Sequence, residues 1–505
     1  MSDDGSVGER LRAAIELLEA IADDPHPLGV LTPEERTRLQ NAAGNVFSPD
    51  VEARRRQTKA RRRRERDEKR QREEEVLADT GIRQLRARPV FTTPNVFPPE
   101  DLEQQDVDDP EFREVSDEQH CYVCKVKYDQ VHHFYDQLCP ACAAESFAKR
   151  SELADLSGRV ALVTGGRVKI GYQAVIKLLR SGATVIVTTR FPRDAALRYA
   201  AEADAADWAD RLEVYGLDLR HTPSVEELCR HLDRTHERLD YVINNACQTV
   251  RRPPDFYRHM LDGETAALAT MPEAARRLLG GVDGVRAVEL VGDLRALGSG
   301  DPGTGPSSAL LSQVPFLPGE EAPDVERFPA GRLDQDLQQV DLRSRNSWRL
   351  TLAEVSSVEL VETQLVNVVA PFVLSARLKP LMLRTPGRAK HIVNVSAVEG
   401  QFYRRMKTTK HPHTNMAKAA LNMMTRTSAT DYHADGIHMN SVDTGWVSDE
   451  DPAELQERKQ LEHRFHPPLD IVDGAARIVD PIISGENTGE HVWGQFLKDF
   501  RPTDW

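Results

Sequence analysis

Four of the six cysteines stand as two C-x-x-C pairs, Cys121/Cys124 and Cys139/Cys142, with fourteen residues between the pairs. Each pair sets two sulfurs on one tight turn, and the intervening loop can bring four thiolates around one zinc ion. A complete four-sulfur shell leaves no open coordination position, so the expected zinc is structural. His120, His132 and His133 lie close by as substitute ligands. A second kind of chemistry is offered by VTGGRVKIGY at 163–172. This Gly-containing turn follows a β-branched run and opens a helical one, and a helix N-terminus can receive a pyrophosphate. Farther on, HPHTNMAKAALNMM at 411–424 places His411 and His413 ahead of Lys418. Imidazoles titrate near neutral pH and can act as acid or base.

The elements that must position these groups alternate. RVALVTG, TVIVTTR, LEVYGLDL and LDYVINNA read as strands, with helical YQAVIKLLRSG and SVEELCRHLDRTH between them. Near-continuous apolar strands alternating with helices predict an α/β fold, a doubly wound parallel sheet of Rossmann type over 157–500. The alternation breaks over about 250–350, where GSGDPGTGPSSALLSQVPFLPGEEAPD reads as an insertion, either a lid or plain disorder. It resumes with a long helix through ETQLVNVVAPFVLSARLKPLM, strand HIVNVSA, the helix near Thr414, strand IHMNSVDTG and helix DIVDGAARIVDPII.

Ahead of this domain, 119–150 is expected to be a small zinc-binding module, 91–118 a linker and 1–90 a charged helical arm. ERLRAAIELLEAIA and TPEERTRLQNAAG are helix candidates, the second capped by Thr32 with Glu35 three residues on. Between Arg54 and Arg72 stand twelve basic residues against three acidic ones. The plain reading is a solvated single helix or linker; the alternative is an arm for a protein or nucleic-acid partner, without aromatic residues for base stacking. The whole chain carries a net charge of −14, which argues against a nucleic-acid coat. With 505 residues, 40% of them hydrophobic, a soluble protein of roughly two to four domains is expected. A secretory pattern at the N-terminus and an apolar run of membrane-spanning length are both lacking by sequence, so a cytoplasmic location and no membrane partner are expected.

The motifs together resemble the short-chain dehydrogenase/reductase superfamily, with the likeness running from about 157 to 450. Its T-G-x-x-x-G-x-G pattern is met by Thr164, Gly165 and Gly171, with Ile170 before the last glycine and Lys169 in place of the middle one. The resemblance implies cofactor contacts from Gly165, Lys169, Ile170 and Gly171, from Asp218 near the adenine, and from Asn245 in NNAC, where Cys247 replaces a glycine. It also implies Asn367 as the asparagine of a proton relay, Ser396 as the hydroxyl that holds a substrate carbonyl, and Lys418 as the lysine that binds the ribose. Thr444 stands where the family has a proline. A homo-oligomer is expected.

Charge sets the expected cofactor. The second strand ends TTRFPR with no acid before Asp194, and Arg190 and Arg167 can pair with a 2′-phosphate, so NADP is expected over NAD. The plain alternative for Arg190 is a solvated strand-end cation.

One position breaks the pattern. The family's tyrosine, four residues before the lysine, is Thr414 here, and an aliphatic hydroxyl ionises too weakly to replace a phenol. The 18 residues from Ser396 to Thr414 make a longer loop than the family's, able to swing Tyr403 or His413 inward as the proton donor. Two readings stay open: an NADP-dependent oxidoreductase acting on a carbonyl or alcohol with a relocated donor, and a catalytically silent NADP(H)-binding sensor or scaffold.

Overall fold

The computed structural model describes residues 4–47, 51–94, 113–280, 307–402, 407–463 and 466–505. Two compact units emerge, Met1–Glu75 and Val76–Trp505. The first holds helices α1 (Asp4–Asp23) and α2 (Pro33–Phe47) and most of α3 (Val51–Ala78). The expected cap of α2 is present: the Glu35 amide donates to Thr32 Oγ1 at 3.3 Å, and Glu35 Oε2 accepts from the Thr32 amide at 3.0 Å. Along α3, Arg61 pairs with Glu65 at 3.5 Å and Arg63 with Asp67 at 3.8 Å, both at i,i+4 spacing on a solvated face.

The second unit opens with α4 (Gly81–Ala87), a hairpin of β1 (Arg113–His120) and β2 (Lys127–Val131), and α5 (Pro140–Ser151). Residues 113–118, taken as linker from their acidic composition, belong to β1; pairing with β2 overrides composition there. Then follow β3 (Val160–Thr164), α6 (Lys169–Arg180), β4 (Thr184–Thr189), α7 (Pro192–Ala200), β5 (Leu212–Gly216), α8 (Thr222–Thr235) and β6 (Tyr241–Asn244). Four short helices come next: α9 (Pro254–Tyr257), α10 (Leu261–Thr265), α11 (Glu273–Arg277) and α12 (Ser308–Leu311). The chain closes with α13 (Ser357–Gln364), α14 (Ala370–Leu383), β7 (Lys390–Ser396), α15 (Pro412–Ala434), β8 (Ile437–Asp443), α16 (Ala453–His463), α17 (Ile471–Thr488), β9 (Phe496–Lys498) and β10 (Arg501–Thr503).

The eight-stranded sheet has the order β10-β9-β8-β7-β6-β3-β4-β5, parallel except for β10. Alternate side chains of each strand serve opposite cores. Val163, Val185, Ile243 and Val442 meet α6 and α17 on one face; Leu162, Ile186, Val242 and Met439 meet α8, α14 and α15 on the other. The strand order reverses between β3 and β6, which opens a crevice beyond the carboxyl ends of the strands. Thr164, Asn244, Ser396 and Asp443 all end strands at that edge.

Ser357–Leu383 is a helix long and apolar enough to cross a membrane, contrary to the expectation that no run of that length exists. Half of its most apolar window is buried, and its α14 part packs on α8. The β9–β10 pair, which the sequence reading did not include, completes the sheet edge.

The amino ends of β7 and β8 hold a histidine cluster. His391 and His438 are cross-strand partners on β7 and β8, with ring centroids 5.1 Å apart, and His391 Nε2 lies 2.9 Å from His491 Nδ1. Burial, aided by the neighbouring imidazoles, pushes His391 far below its usual value, and burial pushes His438 down to about 4. The unfolded chain protonates His438 near pH 6.5 and the folded chain only near pH 4, so its stability is retained above pH 6.5 and falls as pH drops toward 4, with His391 acting in the same direction. For His438 alone the expected loss is on the order of 2–3 kcal/mol. Urea midpoints at pH 7 and 4.5 should separate, and His438→Gln should reduce the separation; equal slopes in both chains would remove this account.

Candidate functional site

The turn that joins β3 to α6 shapes the floor of the crevice. Gly165 has φ +71°, and a Cβ on Gly171 would sit 2.2 Å from Asn245 Nδ2 and 2.3 Å from the Gly165 carbonyl oxygen. Only glycine leaves the turn this tight. Asn245 staples it to β6 by donating from Nδ2 to the carbonyls of Thr164 at 3.0 Å and Gly165 at 3.2 Å. Lys169 adopts φ +56°, the left-handed conformation that suits the glycine it replaces. It opens α6, and its side chain and that of Ile170 line the cavity above.

That cavity has a volume of about 1180 Å³ and runs from the Gly-containing turn to Ser396, Thr414 and Lys418. It is roomy enough for a dinucleotide fragment together with a small molecule. Lys418 is 5% exposed and donates from Nζ to the Val395 carbonyl at 2.8 Å, directly beside Ser396. The hydroxyls of Ser396 and Thr414 are buried and have no hydrogen-bond partner. Asn367 sits in a π-helical turn, Leu365–Val369, between α13 and α14. Its Oδ1 accepts from the Gln248 amide at 2.7 Å and its Nδ2 donates to the Gln248 carbonyl at 3.2 Å. It therefore fixes the turn after β6 and does not itself line the cavity.

At the other end, burial pushes the Tyr257 phenol upward, but Arg190, Arg252 and Arg167 outweigh it and hold the phenol below its usual value. Arg190 donates to Tyr257 Oη at 2.7 Å with its guanidinium 4.3 Å from the ring centroid. Arg167 is held by Asp194 at 2.8 Å and Gln338 at 3.1 Å. Arg252, on the insertion side of β6, was not singled out by sequence, because nothing local marks it as facing β4. Asp218 lines the cavity, its carboxylate gripped by Arg220 at 2.7 Å.

The two groups expected to supply the proton fare differently. Tyr403 lies outside the described residues. His413 does not reach the cavity: it is 2% exposed, and its Nε2 lies 3.5 Å from Glu359 on α13. The reason is helical phase, since position 413 is a full step of about 100° away from the face shared by Thr414 and Lys418. His411 takes its place on the cavity wall.

Asp443 is a site group that sequence reasoning passed over. It pairs in register with Ser396, lines the cavity, and accepts from the amides of Val398 at 2.7 Å and Gly445 at 2.8 Å. Burial raises its pKa. Its neighbour Thr444 drew attention as a departure from the motif, although the strand-end carboxylate carries the contacts.

Tyr122, Val123, Cys124 and Lys125, the first cysteine knuckle, also face this cavity. All four cysteine sulfurs lie within 4.8 Å of one another, and Cys124 Sγ is 3.6 Å from Cys139 Sγ. Bonds of about 2.3 Å to a tetrahedral zinc ion put sulfurs roughly 3.8 Å apart, so the cluster fits the metal. The finger shares a core with the sheet domain, where Tyr135 and Leu138 pack with Val447, Leu469 and Val472. Tyr122 Oη also accepts from the Trp446 amide at 2.9 Å.

Comparison with known proteins agrees with this architecture. A family model for short chain dehydrogenases matches residues 159–262, and one described as enoyl-(acyl carrier protein) reductase matches 344–469. The chain belongs to the short-chain dehydrogenase/reductase superfamily. The gap between the two matches is the insertion. Uncharacterized protein R665 of Acanthamoeba polyphaga mimivirus is 30% identical over 391 residues, 75% of this chain and 74% of that protein. The rhamnolipids biosynthesis 3-oxoacyl-[acyl-carrier-protein] reductase of Pseudomonas aeruginosa is 37% identical over 98 residues, 18% of this chain and 34% of that one. The solved Pseudomonas aeruginosa RhlG/NADP active-site complex is 17% identical with a TM-score of 0.42, covering 68% of this chain and 95% of that one.

Proposed function

We propose that this superfamily member is an NADP(H)-dependent oxidoreductase that interconverts a small carbonyl compound and its alcohol. The observation that carries the reading is the pair of buried, unpartnered hydroxyls of Ser396 and Thr414 beside Lys418 in one cavity. Hydroxyls without a partner are costly to bury, and a carbonyl oxygen between them would satisfy both. When bound, the nicotinamide supplies or accepts the hydride. The tight turn at Gly165 and Gly171 and the start of α6 would hold the pyrophosphate. Lys418 would hold the ribose, and Ser396 would orient the carbonyl.

The guanidinium groups of Arg190, Arg252 and Arg167 favour the 2′-phosphate of NADP. Arg190 is the freest to turn toward it, because Arg167 is tied to Asp194. NADPH should therefore bind more tightly than NADH in a fluorescence titration, and Arg190→Ala should cut the ratio roughly tenfold. Equal affinities in the wild type, or an unchanged ratio in the variant, would sink the NADP assignment. A screen of carbonyl compounds for NADPH oxidation tests the activity itself.

The four cysteines are read as one structural zinc site, suited to a reducing compartment such as the cytoplasm. The basic stretch of α3 is the surface on offer to an acidic partner.

A further inference from the structure

We propose that His411, at the N-cap of α15 three residues before the position where the superfamily places its tyrosine, is the catalytic proton donor and acceptor of this site. This rests on the oxidoreductase reading above. Among the described residues, the neighbouring groups are otherwise engaged or too weakly acidic. His413 is turned toward Glu359. Lys418 is bonded to the Val395 carbonyl. Both Asp443 oxygens accept from backbone amides. Thr414 can donate a hydrogen bond but ionises too weakly to be the acid.

His411 is held for the task from three directions. Its ring stacks on Trp348 of the insertion with centroids 3.8 Å apart and planes 5° from parallel. Its Nδ1 lies 3.1 Å from Asn415 Oδ1, which fixes Nδ1 as the N–H and leaves Nε2 for the cavity. Its backbone amide donates to the Leu350 carbonyl at 2.8 Å. It also holds φ +42°, a left-handed conformation that costs a non-glycine residue about 1 kcal/mol and that the surrounding contacts maintain. The insertion thus builds the platform for the histidine and is not an ornament of the fold.

Burial lowers the imidazole pKa, Glu399 in the turn after β7 opposes this, and His413 on the same helix adds to it. Trp348, packed on the ring, is uncharged; Glu399, Lys407, Lys418 and Asp443 are charged groups that line the same cavity, with Asp449, Glu450 and Lys459 farther along its wall. In the reducing direction, the carbonyl carbon gains hydride and its π pair moves to oxygen. The Nε2–H bond of the imidazolium breaks as the O–H bond of the alcohol forms, leaving neutral imidazole and oxidised nicotinamide. Oxidation runs the same transfers backwards, with neutral His411 as base.

The test compares the full chain with His411→Asn, because asparagine tolerates both the left-handed conformation and the helix-start position. With NADPH and a carbonyl substrate found by screening, the variant should lose 10²–10⁴-fold in kcat/KM together with the acid-side limb of the pH profile. NADPH affinity should stay within about threefold. A second readout needs no turnover. A protonated imidazole quenches a stacked indole, so tryptophan emission of the cofactor-free wild type should fall as pH is lowered through the His411 titration. Trp493 stacks on His433 with centroids 4.0 Å apart and contributes a step of its own, so the His411 contribution is the difference between wild type and His411→Asn or, if that variant does not fold, Trp348→Phe. Wild type that oxidises NADPH while His411→Asn keeps its rate and pH profile overturns this proposal alone. The same emission profile in wild type and both variants, the step from the His433–Trp493 stack alone, also overturns it. Wild type inactive on every carbonyl tested overturns the oxidoreductase reading and this one with it.

Discussion

Replacing Cys139 by serine, or stripping the metal with a chelator, is expected to unfold the finger and weaken the domain beneath it. Zinc binding to four thiolates is worth roughly 10–16 kcal/mol in isolated fingers, and most of that is folding free energy. Here the finger is not an appendage. Its buried Tyr135 and Leu138 share a core with Val447 after β8 and with Leu469 and Val472 around the start of α17. Arg150 of α5 makes a two-pronged contact with Asp470, at 2.7 and 3.0 Å, at the N-terminus of that helix. Losing the finger would leave Asp470 and Asp473 buried without their cation, which typically costs about 3–5 kcal/mol. Metal analysis should return one zinc per chain, and thermal unfolding of Cys139→Ser should begin well below that of the wild type. The cofactor pocket would be touched as well, because Tyr122 and Cys124 form part of its wall. Zinc-free wild type that melts like Cys139→Ser and no lower than the metal-loaded protein would dispose of a structural metal.

Ser396→Ala should act on rate and stability in opposite directions. The Ser396 hydroxyl has no partner in the folded chain, so its removal orphans nothing and spares the cost of burying it. Unfolding midpoints are expected to stay level or to rise, by up to about 1 kcal/mol. Turnover is expected to fall by roughly 10²–10³, the usual loss when one donor to a developing oxyanion is removed. NADPH affinity should hardly move, since the role proposed for Ser396 is toward the substrate and not the ribose. A variant that turns over like the wild type would show that the carbonyl is held elsewhere, and one that unfolds readily would show that the hydroxyl has a structural partner.

Much of this was written locally and could be read from the chain. Strands β3, β4 and β6 are apolar runs rich in β-branched residues whose alternate side chains serve two cores, and a buried parallel sheet admits little else. The two cysteine knuckles announce their geometry by spacing alone, because each tight turn fixes two sulfurs. Gly165 and Gly171 are legible because the turn between β3 and α6 has no room for a Cβ. Ser396 and Lys418 fall where motif and element agree. Helical phase even held the answer about His413, which falls a step away from the face of Thr414 and Lys418, whereas His411 precedes the helix in a left-handed conformation and is placed by its tertiary contacts. Only the tertiary structure decided the rest. Arg252, Tyr257 and Trp348 reach the cavity from an insertion with no periodic signal, so their direction is set by what they pack against. The same holds for the finger, whose cysteine cluster was plain in the sequence but whose contact with the cavity depends on burying Tyr135 and Leu138 against a helix more than 300 residues away. Short-range spacing encodes turns, strands and knuckles because those depend on neighbouring dihedrals. Which distant surfaces meet is fixed by the summed burial of many side chains, and no stretch of sequence carries that sum by itself.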